Sequence, residues 1–132
     1  MEKIRLALLI EDEEIDQRQY LRVIEKSELI EEVKVFTYAD EALEFMMNNP
    51  DLEIDVIFLD INLPRMDGFE FLSQANEQFG ENFAKIVVAM LTTSLNPDDL
   101  RRAKQFKVVR DYINKPLLVE HIKRVVAMLP DM

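Results

Sequence analysis

The sequence predicts a doubly wound α/β domain, (βα)₅, with a parallel five-stranded sheet in the order 2-1-3-4-5 and helices on both faces. Five strand-sized apolar runs recur: Leu6 to Ile10, Val33 to Phe36, Ile54 to Leu59, Ile86 to Leu91 and Val108 to Ile113. The segments between them place apolar residues at helical spacing. Three of the runs are apolar almost throughout, the pattern of central parallel strands covered on both sides, where a strand with one wet face would alternate. Right-handed crossovers leave few ways to wind five such units, and the chosen order puts strands one, three and four side by side.

The first run ends in Glu11-Asp12-Glu13-Glu14, and Tyr20, Leu21 and Ile24 mark the first helix. The second run is followed by a helical pattern at Ala42, Phe45 and Met46. The third, Ile54-Asp55-Val56-Ile57-Phe58-Leu59, closes on Asp60, and Ile61-Asn62-Leu63-Pro64-Arg65-Met66-Asp67-Gly68 cannot continue a strand. Asp67-Gly68 supplies a turn before a helix marked by Phe69, Leu72 and Phe79, and Gln78 to Phe83 is read as a surface loop. The fourth run leads into Thr92-Thr93-Ser94. Asn96-Pro97-Asp98-Asp99 then offers a capping side chain, a first-turn proline and two acids at the positive end of a helix carrying Leu100, Ala103 and Phe106. The fifth run ends in Asn114-Lys115-Pro116, and Pro116 is expected to open a last helix with Leu118, Ile122, Val125, Val126 and Leu129.

At 132 residues the chain is one domain's worth, spanning 1–132 with no separate output domain expected. No run is long enough to span a membrane, and the first block, Met1 to Ile10, is too short for a signal peptide, so a cytoplasmic protein is expected. The absence of cysteine closes disulfide and thiolate–metal readings. A net charge of −10 disfavours nucleic acid and anionic lipid as partners. The one basic cluster, Arg101-Arg102-Ala103-Lys104, is read as a solvated helix face.

Parallel strands bring the ends of runs one, three, four and five to one edge, where sites assemble in open α/β sheets. Carboxylates gathered there repel one another unless a cation neutralises them, and hard oxygen ligands select Mg²⁺, with Mn²⁺ as a substitute. Mg²⁺ of this kind commonly accompanies phosphoryl chemistry. Asp60 is then a nucleophile that would form an acyl phosphate, with Lys115 on a phosphoryl oxygen and the Thr92 hydroxyl on another. An ionised carboxylate needs no general base, in keeping with the lack of a placed histidine.

Four motifs in order resemble the receiver domains of two-component response regulators, the chemotaxis-regulator-like, flavodoxin-like fold. They are Glu11-Asp12, Leu59 to Gly68, Leu91-Thr92-Thr93 and Tyr112-Ile113-Asn114-Lys115-Pro116-Leu117, and together they cover essentially the whole chain. The resemblance implies that Asp60 is the phosphoacceptor. It implies that Asp12 and Glu11 hold Mg²⁺ directly or through water, that the Asn62 backbone carbonyl completes the protein ligands, and that Lys115 pairs with the phosphoryl group. It further implies a switch in which Thr92 swings toward the phosphoryl oxygen, Tyr112 moves inward, and the surface of the fourth helix, fifth strand and fifth helix changes. The Lys115-Pro116 bond is often cis in that family. Glu11 stands where many members have Asp, and Thr93 where many have a smaller residue.

The expected function is a stand-alone regulator that takes its phosphoryl group from a histidine kinase or phosphotransfer protein, as a monomer or a phosphorylation-dependent dimer. It is expected to catalyse that transfer itself and to lose the group slowly, without being a dedicated enzyme. An aspartate-nucleophile phosphohydrolase is the enzyme alternative, although Asn62 stands where such enzymes usually place a second carboxylate. A cofactor-binding flavodoxin-like module, poorly served by Gly 2 and Trp 0, and a scaffold that is never phosphorylated remain as readings. His121 is read as a peripheral helix residue, and the seven methionines chiefly as core fillers.

Overall fold

The computed structural model describes residues 3–130. Their elements in order are β1 (Ile4–Ile10), α1 (Glu14–Ser27), β2 (Ile30–Phe36), α2 (Ala39–Asn48), β3 (Val56–Asp60), α3 (Gly68–Phe79), α4 (Glu81–Ala84), β4 (Val87–Thr92), α5 (Pro97–Lys104), β5 (Val109–Asn114) and α6 (Val119–Val126). The five strands are all parallel and lie in the order β2-β1-β3-β4-β5. This is the predicted (βα)₅ winding with one helix added. The strand boundaries shift by one to three residues, so that Asp60, Thr92 and Asn114 are the last residues of their strands.

Side chains alternate across the sheet with the strand period of two. Leu8, Ile10, Ile57, Leu59, Val88 and Met90 face α2, α3 and α5, which contribute Leu43, Leu72 and Ala103 to that core. Ala7, Leu9, Phe58, Ala89 and Leu91 face α1 and α6, which answer with Tyr20, Ile24, Ile122 and Val125. Every residue of β3 and β4 is buried, as is all of β1 except Arg5, whereas β2 and β5 at the edges are only partly covered. The three nearly unbroken apolar runs are therefore the three inner strands.

Helix starts follow their local chemistry. The Asp67 side chain accepts the Glu70 N–H while the Glu70 carboxylate accepts the Asp67 N–H, a reciprocal cap at the head of α3. Asn96 accepts the Asp98 N–H in front of Pro97, so α5 begins where the sequence placed it. Leu100 on that helix is partly exposed rather than core, and the basic cluster is a solvated face on which Arg101 pairs with Asp98.

Two expectations are corrected. The stretch expected as a surface loop contains α4, because Phe83 drives inward to full burial and meets the Phe71 ring edge-on at 6.3 Å. The last helix opens at Val119 rather than Pro116: Leu117 is pulled into the core, and Leu118 remains extended as the residue before the helix. The Lys115-Pro116 bond is cis.

Phe83→Ala is expected to cost about 3–5 kcal/mol of stability, read from urea unfolding, because it empties a ring-sized space beneath α3. A pH dependence follows from His121, whose Nδ1 accepts the Leu118 N–H at 2.9 Å and must be unprotonated to do so. Burial lowers its pKa, with Arg124 adding to the effect. The unfolded chain therefore takes up a proton first as the pH falls below about 6.5, and the contribution is lost through that window. The stability gap between the wild type and His121→Ala is expected to shrink as the pH is lowered from about 7.5 to about 5.5.

Candidate functional site

Among the described residues, the charged or polar side chains that are fully buried are Glu11, Asp60 and Thr92, and all three stand at C-terminal strand ends. Glu11 follows β1 directly, and its N–H donates to the Phe36 carbonyl, so the ladder to β2 extends one residue beyond the strand. Asp60 ends β3 beside Leu91 of β4. Carboxylate oxygens of Glu11, Asp12 and Asp60 come within 4.8 Å of one another.

Lys115, just beyond β5, reaches across this edge with only 8% of its side chain exposed. Its Nζ lies 2.5 Å from Glu11 Oε1, 3.3 Å from Asp60 Oδ2 and 3.5 Å from Asp16 Oδ2. The Tyr20 ring lies beneath it, 5.9 Å from the ammonium to the ring centre. Burial alone would lower the lysine's pKa, but the bond to Glu11 and the charges of Asp60 and Glu11 outweigh it and raise it. The ammonium therefore stays charged. Burial pushes Glu11 up to about 7 against the pull of Lys115, with Asp60 adding repulsion. Asp60 is also raised by burial, while Lys115 and the Asn62 N–H pull it back. Tyr20 is pushed up to about 12, chiefly by burial, and remains a neutral phenol.

Glu11 is committed at both oxygens, since Oε2 accepts the Glu13 N–H at 3.1 Å. Gln17 Nε2 also donates to the Glu11 carbonyl, fastening the start of α1 to the end of β1.

Gly68 sets the approach of α3 to the strand that ends in Asp60. A Cβ at that position would lie 2.8 Å from the Asp60 carbonyl oxygen and 3.1 Å from Ile61 Cα, and the Gly68 N–H donates to the Ile61 carbonyl at 2.9 Å. The loop between carries Arg65 in the left-handed region, φ 69°. Its guanidinium forks onto Asp40 and lies 3.7 Å from the Tyr38 ring centre, anchoring the loop to the head of α2.

Glu11, Asp12, Asp60 and Lys115 are thus brought together as expected. Thr92 lies at the same edge, its Oγ1 donating to the Ser94 carbonyl at 2.8 Å and accepting the Ser94 N–H at 3.1 Å. Asn62 lies two residues past Asp60 with an exposed side chain. Tyr112 is set apart from the carboxylates: it pairs with Met90 in the β4–β5 register and packs partly into the core under α2, α3 and α5, its buried hydroxyl lacking a hydrogen-bond partner. His121 lies in the first turn of α6, outside the cluster. Asp16 and Tyr20 were not anticipated. Asp16 lies in the first turn of α1, which starts at the same edge, and its spacing alone carried no signal for the lysine contact.

A family profile described as the response regulator receiver domain matches residues 7–127. The chain belongs to this family. Rcp1 of Synechocystis, a response regulator, is 31% identical over 100 residues, covering 73% of this chain and 67% of Rcp1. FilR2 of Methanothrix harundinacea, a probable methanogenesis regulatory protein, is 45% identical over 71 residues, covering 54% of this chain and 44% of FilR2. This receiver domain thus matches less than half of FilR2's length. Among solved structures, a two-component response regulator from Cytophaga hutchinsonii superposes with TM-score 0.89 at 26% identity, covering 96% of each chain. The Mn²⁺-bound form of Rcp1 superposes with TM-score 0.74 at 27% identity, covering 94% of this chain and 91% of Rcp1. No helix among the described residues is long and apolar enough to cross a membrane.

Gly68→Ala is expected to cost about 1–3 kcal/mol, because the new methyl group meets backbone that cannot rotate away. In ¹⁵N-resolved NMR spectra the amides of Asp60 and Ile61 are expected to shift more than those of β1 or β5.

Proposed function

We propose that this receiver domain accepts a phosphoryl group on Asp60 and uses it to switch a partner-binding surface. The observation that carries the reading is the Lys115 ammonium, 3.3 Å from the Asp60 carboxylate in a crevice of converging acids. Lys115 opposes the effect of burial and favours the ionised, nucleophilic carboxylate. An Asp60 oxygen bonds to phosphorus as the P–N bond of a donor phosphohistidine breaks, and the electron pair leaves on the imidazole nitrogen. Lys115 then transfers from the Asp60 oxygen to a phosphoryl oxygen. In a separate slow hydrolysis, water attacks phosphorus, the bond to Asp60 breaks, and orthophosphate leaves the free carboxylate behind.

The three carboxylates form a hard-oxygen donor set that fits a divalent cation, and the Mn²⁺-bound form of Rcp1 supports one here. When bound, Mg²⁺ would neutralise charge on the phosphoryl oxygens. Asp12, Asp60 and the Asn62 carbonyl would hold it, with Glu11 acting through water because its oxygens already serve Lys115 and the Glu13 N–H.

The Thr92 hydroxyl, now turned onto its own chain at Ser94, is free to exchange those bonds for a phosphoryl oxygen. Movement there reaches Tyr112, and the face formed by α5, β5 and α6 carries the change through residues such as Arg102, Phe106 and Asp111. The donor is a histidine kinase or a histidine phosphotransfer protein.

Incubation with Mg²⁺ and acetyl phosphate, followed by intact-protein mass spectrometry, is expected to show a gain of one phosphoryl group that hydroxylamine removes. Asp60→Asn is expected to show none. An undiminished gain in that variant would overturn the assignment.

A further inference from the structure

The acid at the third position of α1 does something other than cap its helix. In a capping box the third helical residue, a Glu or Gln, reaches back to the N–H of the residue before the helix; here that residue is the shorter Asp16, and the Glu13 N–H is already taken by Glu11 Oε2. Asp16 turns instead to Lys115, its Oδ2 3.5 Å from Nζ, with its side chain 31% exposed at the mouth of the crevice. Lys115 therefore faces Glu11, Asp16 and Asp60 at once, and among the described residues it is the cation paired with these acids. Glu13 and Glu14 nearby are exposed, Glu14 in an ion pair with Arg18.

We propose that Asp16 is a specificity-determining residue: it competes with an incoming phosphoryl group for Lys115 and, by its fixed charge at the mouth, selects against small free anionic phosphodonors. The proposal rests on Asp60 being the phosphoacceptor. The penalty a fixed charge imposes grows with the charge of what approaches it and fades as salt screens it. A free dianion meets the full effect, whereas a donor docked through a protein surface gains contacts elsewhere that offset it.

The test compares wild type and Asp16→Asn with two small donors at saturating Mg²⁺ and neutral pH: acetyl phosphate, a dianion, and phosphoramidate, a net monoanion. Asp16→Asn is expected to speed phosphorylation by acetyl phosphate roughly three- to tenfold and by phosphoramidate by less than about threefold, both gains shrinking as NaCl rises from about 0.05 to 0.5 M. Calorimetric titration with the trifluoroberyllate anion, a phosphoryl mimic that undergoes no turnover, is expected to show tighter binding to the variant at low salt. Equal gains with both donors, gains indifferent to salt, or slower reaction of a variant that unfolds normally in urea would overturn the proposal. Failure of wild type to be phosphorylated by either donor would instead overturn the assignment of Asp60, and with it this inference.

Discussion

The Lys115 ammonium joins chain segments that approach one another only because the sheet is wound in this order. It projects from the end of β5, takes its shortest contact from the residue after β1, and touches the last residue of β3, with β4 lying between β3 and β5. A buried ion pair of this kind is weak evidence of stability, because desolvating two charges offsets most of their attraction. Deleting one partner, however, leaves an unpaired buried charge, so the constellation binds its members together strongly. Every other feature of the edge is arranged around that cation: Glu11 at full burial, Asp60 raised by burial but pulled back by the ammonium, and Tyr20 raised and neutral beneath it.

The surrounding fold makes such a charged cluster tolerable. Two apolar layers seal the sheet on both faces, so polar groups can gather only at the strand ends, where backbone donors are also exposed. The start of α1 supplies one to Glu11. Close approach at Gly68 brings the start of α3 against the backbone of Asp60 and Ile61, and the Arg65–Asp40 fork ties the intervening loop to the neighbouring helix. Rigid elements thus define the edge at which β3 ends on Asp60 and β4 on Thr92.

Much of this was legible because it depends on period and order alone. Unbroken apolar runs distinguish inner from edge strands, and parallel winding then forces Glu11, Asp60, Thr92 and Lys115 onto one edge whatever their rotamers. The cap at Asn96-Pro97 was legible for the same reason, since its chemistry is local. What escaped depended on competition between neighbours. Phe83 reads as a loop residue until Phe71 is placed above it. Pro116 reads as a helix start until Leu117 is drawn into the core. Met47, adjacent to a buried methionine, is left at the surface because the helix turns it away from the sheet.

Asp16 belongs to the same class, and it shows why substitution of one acid for another in such a site is not neutral. The added methylene of Glu11, compared with Asp, lets one carboxylate reach both the Lys115 ammonium and the Glu13 N–H. That N–H is thereby unavailable to Asp16, whose carboxylate lies 3.5 Å from the lysine ammonium. The charge around the Lys115 ammonium is then set by the end of β1 and the start of α1 together, since Glu11 comes from one and Asp16 from the other.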